Sequence, residues 1–217
     1  MLPLSFPGPH DAPLRILCLG AHSDDIEIGA GGTVLTLLRR HPASTVHWVV
    51  FGASGVREAE ARDSAETFLA DAAASVVHVH GFRDGFFPAD FVGLKETFEA
   101  LKRDFQPDLI LTHRRDDHHQ DHRIVAELTW NTFRDHLVLA YEIPKYDPDL
   151  GNPNVFVSLR EEDAKRKVAA LMRHFGTQRS RRWFTPETFH GLMRLRGVQA
   201  AAPSGLAEGF FGVKLWL

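Results

Sequence analysis

Leu14-Arg15-Ile16-Leu17-Cys18-Leu19-Gly20, running directly into Ala21-His22-Ser23-Asp24-Asp25-Ile26-Glu27, is the stretch on which the fold turns. The first half is an apolar run of strand length, the pattern of a strand buried on both faces of a parallel sheet. Ligands and catalytic groups gather beyond the carboxyl ends of such strands, so the polar residues after Gly20 are placed for chemistry. Far along the chain the same arrangement recurs. A second apolar run, 108–113, leads into Thr112-His113-Arg114-Arg115-Asp116-Asp117-His118-His119-Gln120-Asp121-His122-Arg123. Two polar clusters at two strand ends can face one crevice, and together they offer imidazoles and carboxylates in the proportion a divalent metal ion takes.

Outward from these runs, strands are expected at 14–20, 45–52, 75–81, 108–112 and 137–143. Helices are expected between them at 29–40, 57–70, 91–105 and 121–134. That alternation makes βαβ units and hence an α/β fold: three layers, a mostly parallel Rossmann-like sheet, helices on both faces. After Pro144 the pattern changes. Residues 147–154 carry turn chemistry, helices follow at 161–175 and 186–196, and 211–217 reads as a short last strand, a C-terminal helical elaboration. No repeat or linker divides the chain, so 14–217 reads as a single domain and 1–13 as a poorly ordered N-terminal extension.

The bulk composition excludes several classes. With 44% hydrophobic and 24% charged residues and a net charge of -3, the chain is neither disordered, fibrous nor built for a polyanion. The single cysteine, Cys18, lies inside the first strand and cannot close an internal disulfide. No apolar run nears the ~20 residues of a membrane span, and the N-terminus lacks the cationic start of a signal peptide. The expectation is a cytoplasmic protein with neither nucleic acid nor membrane as partner. Arg179, Arg181 and Arg182 cluster, as a solvated surface or as a contact for a substrate anion.

Within the first cluster, His22 and Asp25 are three apart on a tight loop and can reach one ion, with Asp24 beside it where a general base is wanted. Asp24 and Asp25 read equally as caps of the next helix. A dinucleotide loop fails, because Gly29-Ala30-Gly31-Gly32 lacks the G-x-G-x-x-G spacing and acids stand where phosphate would sit. Within the second cluster, His119 and His122 share one face of a helix's first turn, so one can bind metal while the other approaches substrate. Asp121 is close enough to orient an imidazole. His113 and His118 read as supporting rather than ligating, His113 on the substrate side.

The two clusters resemble the A-H-P-D-D-x-E and H-P-D-H motifs of the PIG-L/LmbE-like zinc-dependent N-deacetylases. Gly29 to Thr33 is similar to that family's G-x-G-G-T, Arg57 with Glu60 to its R-x-x-E, and Arg196-Gly197 with Ala207-Glu208-Gly209-Phe210 to its R-G…A-E-x-F. Ser23 and Gln120 replace the prolines of the two main motifs, a change of loop rigidity rather than of chemistry. The resemblance implies one Zn2+ per chain, with Fe2+ or Co2+ also accepted, held by His22, Asp25 and His122. It implies Asp24 as general base, His119 as the cation facing the amide oxyanion, and Asp121 as the group orienting His119. Arg57 and His113 would contact substrate, and the leaving amine would take its proton from Asp24 or His119. The reaction implied is hydrolysis of a linear C–N amide: loss of the N-acetyl group from an N-acetylated amino sugar or its conjugate. The resemblance also leaves room for a homo-oligomer. The competing readings are a Rossmann-like nucleotide binder without metal chemistry and an inactive metal- or sugar-binding relative.

Overall fold

The computed structural model of the protein describes Phe6 and residues 11–214. Its central strand, β1 (Arg15–His22), is buried along seven of eight residues because it sends apolar side chains both ways. Ile16 and Cys18 enter one core; Leu17 and Leu19 enter another on the opposite face. A strand of that kind needs helices above and below it. The first core is closed by α1 (Asp25–Arg40), α2 (Val56–Leu69) and α5 (Glu161–His174). The second is closed by α3 (Phe91–Asp104) and α4 (Gln120–Thr132).

With β2 (Thr45–Gly52), β3 (Ala74–Val79), β4 (Leu109–Thr112), β5 (Val138–Tyr141), β6 (Val155–Ser158) and β7 (Ala207–Gly212), the sheet runs β3-β2-β1-β4-β5-β7-β6. The first five strands are parallel, with Ile16 opposite both Val46 and Leu109. From β1 the chain builds outward on one side through β2 and β3, then returns to build outward through β4 and β5. The switch point therefore lies between the carboxyl ends of β1 and β4, where α/β sheets open a crevice. Both polar clusters end up there.

All five expected strands and all six expected helices form, with shifts at their ends. α1 begins at Asp25 rather than at Gly29, since Asp25 and Glu27 suit the positive end of a helix and the glycines lie inside it. Those glycines are contact surfaces: a Cβ on Gly29 would come 2.2 Å from the Tyr141 ring, and one on Gly32 2.7 Å from Leu159.

The C-terminal part departs more. The expected strand at 211–217 forms instead as β7, which pairs antiparallel with β5 and with the unforeseen β6, while α6 (Pro186–Gln199) is the second helix of this part. The last three residues of that expectation, and most of the expected extension 1–13, lie outside the described residues. Glu208 masked β7 as a strand. Its buried carboxylate accepts from the N–H groups of Gly32 (2.9 Å) and Thr33 (2.6 Å) and pairs with Lys167 of α5 (2.6 Å). Among the described residues no helix is long and apolar enough to cross a membrane.

Candidate active site

His22 is the last residue of β1, and Asp25 opens α1 one tight turn later. The Asp25 carboxylate folds back to accept from the His22 N–H (2.6 Å), which fixes both side chains at the strand end. His122 arrives in the first turn of α4. The donor atoms then converge. His22 Nδ1 is 3.2 Å from His122 Nε2 and 3.4 Å from Asp25 Oδ2, and His122 Nε2 is 3.5 Å from Asp25 Oδ1. Zinc bonds of about 2.0–2.1 Å in a tetrahedron put neighbouring donors about 3.3–3.4 Å apart, so this trio fits one ion.

The charge around it fits as well. Asp25, Asp121 and Asp84 all approach His22, with Arg57 the nearby formal cation. Burial works against a proton on His22, but those carboxylates outweigh it and hold its pKa well above the usual imidazole range. Burial, reinforced by His113, pulls His122 down to about 4, leaving it the neutral imidazole a metal needs. The donors of His22, His119 and His122 also lie within 4.8 Å of one another, as do those of Asp25, His113 and His122 and those of His22, Asp84, His119 and Asp121. His22, Asp25 and His122, the set expected from the sequence, are thus spread over these overlapping groups, with His122 shared by two of them, and they form a candidate trio for an ion.

Asp24 is 4% exposed and makes no side-chain cap bond to α1, which removes the capping reading for it. Arg57 of α2 holds it at 3.4 Å. Burial, then the charge of Asp25, pushes its carboxyl up to about 6, with Arg57 and His22 opposing. His119 is the N-cap of α4, and its Nδ1 accepts from the Asp121 N–H (3.3 Å). The ring proton consequently sits on Nε2. Burial, then His22, holds the His119 pKa below the usual value, so the structure favours a neutral donor there over the expected cation.

Two expected roles are relocated. Asp121, expected to orient His119, has Oδ2 3.2 Å from His22 Nε2 instead, and its carboxylate is held by the N–H groups of Gly85 (2.6 Å) and Phe87 (3.2 Å). The positive φ of Gly85 (81°) gives that loop its turn toward Asp121. His113, expected on the substrate side, is fully buried behind the metal trio, with Nε2 3.1 Å from Asp25 Oδ2 and 3.3 Å from the Tyr141 hydroxyl. With no solvent-facing surface it supports Asp25 and cannot touch substrate. His118 lends its N–H to Asp149 (2.8 Å).

Two acids, Asp117 and Asp84, were missed by sequence reasoning, and Glu60, matched there to R-x-x-E, turns out to have a structural role. Asp117 Oδ2 lies 3.1 Å from His122 Nδ1, which leaves Nε2 to face the metal. The rule that a ligating imidazole has a carboxylate behind it could have found it. Asp84, on the loop after β3, bridges His22 (3.1 Å) and Arg57 (3.2 Å), and no pattern around it announces that. Glu60 accepts from the Thr177 N–H (2.8 Å) and hydroxyl (2.6 Å), anchoring the turn Gly176–Gln178. The two residues standing where the motifs have proline also make bonds. Arg57 Nε donates to the Ser23 hydroxyl (3.1 Å), and the Gln120 amide donates to the Gly85 carbonyl (3.2 Å). Of the arginine cluster, Arg179 donates to the carbonyls of Met172 and Arg173 at the end of α5, while Arg181 and Arg182 are exposed.

Fold and site together define a doubly wound α/β protein with a candidate divalent-metal centre at its switch point. The model of the family described as PIG-L, GlcNAc-PI de-N-acetylase, matches residues 17–133, more than half of the chain and both clusters, and the chain belongs to that family. No curated protein sequence matches it significantly. Among solved structures it is similar to N,N'-diacetylchitobiose deacetylase from Pyrococcus horikoshii, with a TM-score of 0.68, 18% identity, and 94% of this chain and 85% of that one covered. It is similar too to the conserved protein TT1542 from Thermus thermophilus (TM-score 0.71, 19% identity, 94% and 97% covered). A third is GalB, the 4-carboxy-2-hydroxymuconate hydratase from Pseudomonas putida (TM-score 0.71, 21% identity, 94% and 98% covered). At such identities the likeness speaks for the fold, and a deacetylase and a hydratase on one fold mean that function has to be argued from the site.

Proposed function

We propose that the protein is a divalent-metal-dependent amide hydrolase, with zinc the first choice of ion, that removes the N-acetyl group from an N-acetylated amino sugar or its conjugate. One observation carries the reading: His22, Asp25 and His122 converge at tetrahedral spacing with the buried, ionisable Asp24 next to them. Membership of a family described by GlcNAc-PI de-N-acetylation supports the same reaction. The nucleotide-binding alternative loses its ground, because the glycines it needs are packed inside α1. The cytoplasmic assignment rests on the sequence reading.

A bound ion supplies Lewis acidity, which makes water a stronger acid and polarises an acyl oxygen. Asp24 takes the proton of the attacking water. His119 holds its proton at Nε2 and donates it as a hydrogen bond to the oxygen that gains charge. Asp24 then returns its proton to the leaving nitrogen, since the one proton on His119 is already engaged. Asp121 and Asp117 keep the His22 and His122 rings in register. Arg57 and Asp84, partly exposed at the mouth, present donors and acceptors to sugar hydroxyls.

The test joins metal content to acetate release. Purified wild-type protein incubated with zinc and then desalted should carry about one ion per chain, as a three-ligand catalytic site holds. His122→Ala should carry none, and acetate should be freed from at least one member of an N-acetylhexosamine panel by the wild type alone. A wild type that retains no divalent ion removes the reading. So does a zinc-loaded wild type that turns over a hydratase substrate but no acetamide.

A further inference from the structure

Lys145, on the segment after β5, is deeply placed: its side chain is 9% exposed and lies against two carboxylates, each 4% exposed. It pairs with Asp149 of its own segment and stands 3.1 Å from Asp117 Oδ1. Asp117 is the bracket of the second cluster. Its Oδ1 also accepts from the His119 N–H (2.8 Å), and its Oδ2 stands 3.1 Å from His122 Nδ1. One carboxylate thus fixes the backbone of the proposed oxyanion donor and the ring of the proposed metal ligand. Asp149 completes the clasp, accepting from the His118 N–H (2.8 Å) through its carboxylate and from Arg114 (2.6 Å) through its carbonyl.

Other cations near Asp117 are committed elsewhere. Arg114 pairs with Asp116, and Arg123 reaches the main-chain carbonyls of Asp117 and His118 rather than the Asp117 carboxylate. Lys145 is the cation that holds the Asp117 carboxylate in place. We propose that Lys145 is a positioning residue for the proposed metal ligand His122, acting through Asp117 from a segment that supplies none of the three proposed ligands. Without its ammonium, the Asp117 carboxylate is free to turn from His122 Nδ1, and the ring loses the acceptor that keeps Nε2 toward the ion. The inference rests on the metal reading given above. Loss of such a supporting partner typically weakens metal binding about 10–100-fold.

The measurement is the zinc affinity of metal-stripped protein, by competition with a chromophoric chelator, which needs no turnover. Lys145→Met should bind zinc roughly 10–100-fold more weakly than wild type, and Lys145→Arg should regain most of the loss. Asp149→Asn keeps Lys145 on Asp117 and an oxygen for the His118 N–H, and should lose clearly less than Lys145→Met. Lys145→Met leaves Asp149 as an unpaired buried charge and can fail to fold, so Lys145→Met/Asp149→Asn carries the test independently and should be as weak as the single Met variant. Wild-type affinity in the Met variants overturns the proposal. So does an Asp149→Asn loss equal to that of Lys145→Met, which would mean that the segment matters only as a strap. A wild type that binds no zinc overturns the metal reading and this inference together; a wild type that binds zinc while Lys145→Met is unaffected overturns this inference alone.

Discussion

Asp24 and Asp25 carry the same side chain at adjacent positions, and the fold separates their work by what each one meets. Asp25 accepts from the His22 N–H, and against the effect of burial the surrounding imidazoles of His122, His113 and His22 hold its carboxyl well below the usual carboxylate range. Asp24 meets little but Arg57 and the charge of Asp25, and burial leaves it easier to protonate. A carboxylate that can pick up a proton suits a base, and one that cannot suits a ligand. Asp24→Asn is accordingly expected to keep its zinc and lose roughly 10²–10⁴ in kcat/KM. Metal analysis and acetate release on one preparation decide this, and a zinc-loaded Asp24→Asn with near wild-type turnover would hand the base to another group. His119→Ala should likewise keep zinc, and lose roughly 10²–10³ in kcat. At this scale the spacing of His22, Asp25 and His122 was legible, because short loops and a helix's first turn leave few geometries. The service of Asp121 to His22 rather than His119 was not, since it depends on a loop from β3 that supplies the Gly85 and Phe87 N–H groups.

Elements are where the glycine-rich segment shows its purpose. A Cβ on Gly29 would stand 2.2 Å from the Tyr141 ring, and Tyr141 is fixed by its own hydrogen bond to the Leu19 carbonyl (2.6 Å). Gly→Ala gains about 1 kcal/mol of helix propensity, whereas overpacking a buried contact costs about 1–3 kcal/mol or more. Overpacking should win at Gly29, and Gly29→Ala should lower the urea midpoint. Gly191, on α6, has nothing beyond its own stretch of helix backbone within 4 Å of its would-be Cβ, so Gly191→Ala should raise stability by up to about 1 kcal/mol. Equal shifts in the two variants would show that Gly29 is not a contact surface. The same contrast explains what was legible among the elements. The runs of β1, β2 and β4 and the periodicity of α3 and α5 express burial directly. β6 is four half-buried residues after a turn-rich stretch, and β7 carries a glutamate that is understood only once Lys167 is brought to it from α5.

For the whole molecule, the proposed ion-binding trio joins pieces distant in sequence. His22 and Asp25 belong to the β1–α1 unit, His122 to α4, and the supporting Asp84 and Asp121 bind the loop after β3 to both. The two hydrophobic cores are closed by side chains on either side of the sheet and do not include the site, so metal-stripped protein should remain folded with a cooperative transition. Bound zinc would still cross-link the carboxyl ends of β1 and β4 and replace the proton that the carboxylates hold on His22. An ion that binds only the folded state stabilises it by about 2.7 kcal/mol at a hundred times its Kd. In a chain of 217 residues that corresponds to a Tm rise of roughly 5–10 °C. Calorimetric scans of metal-stripped protein, with and without added zinc, should show that rise for wild type and for Asp24→Asn, and none for His122→Ala. A rise that survives His122→Ala would place the ion on other residues, and the joining of the two clusters would then have to be explained without it.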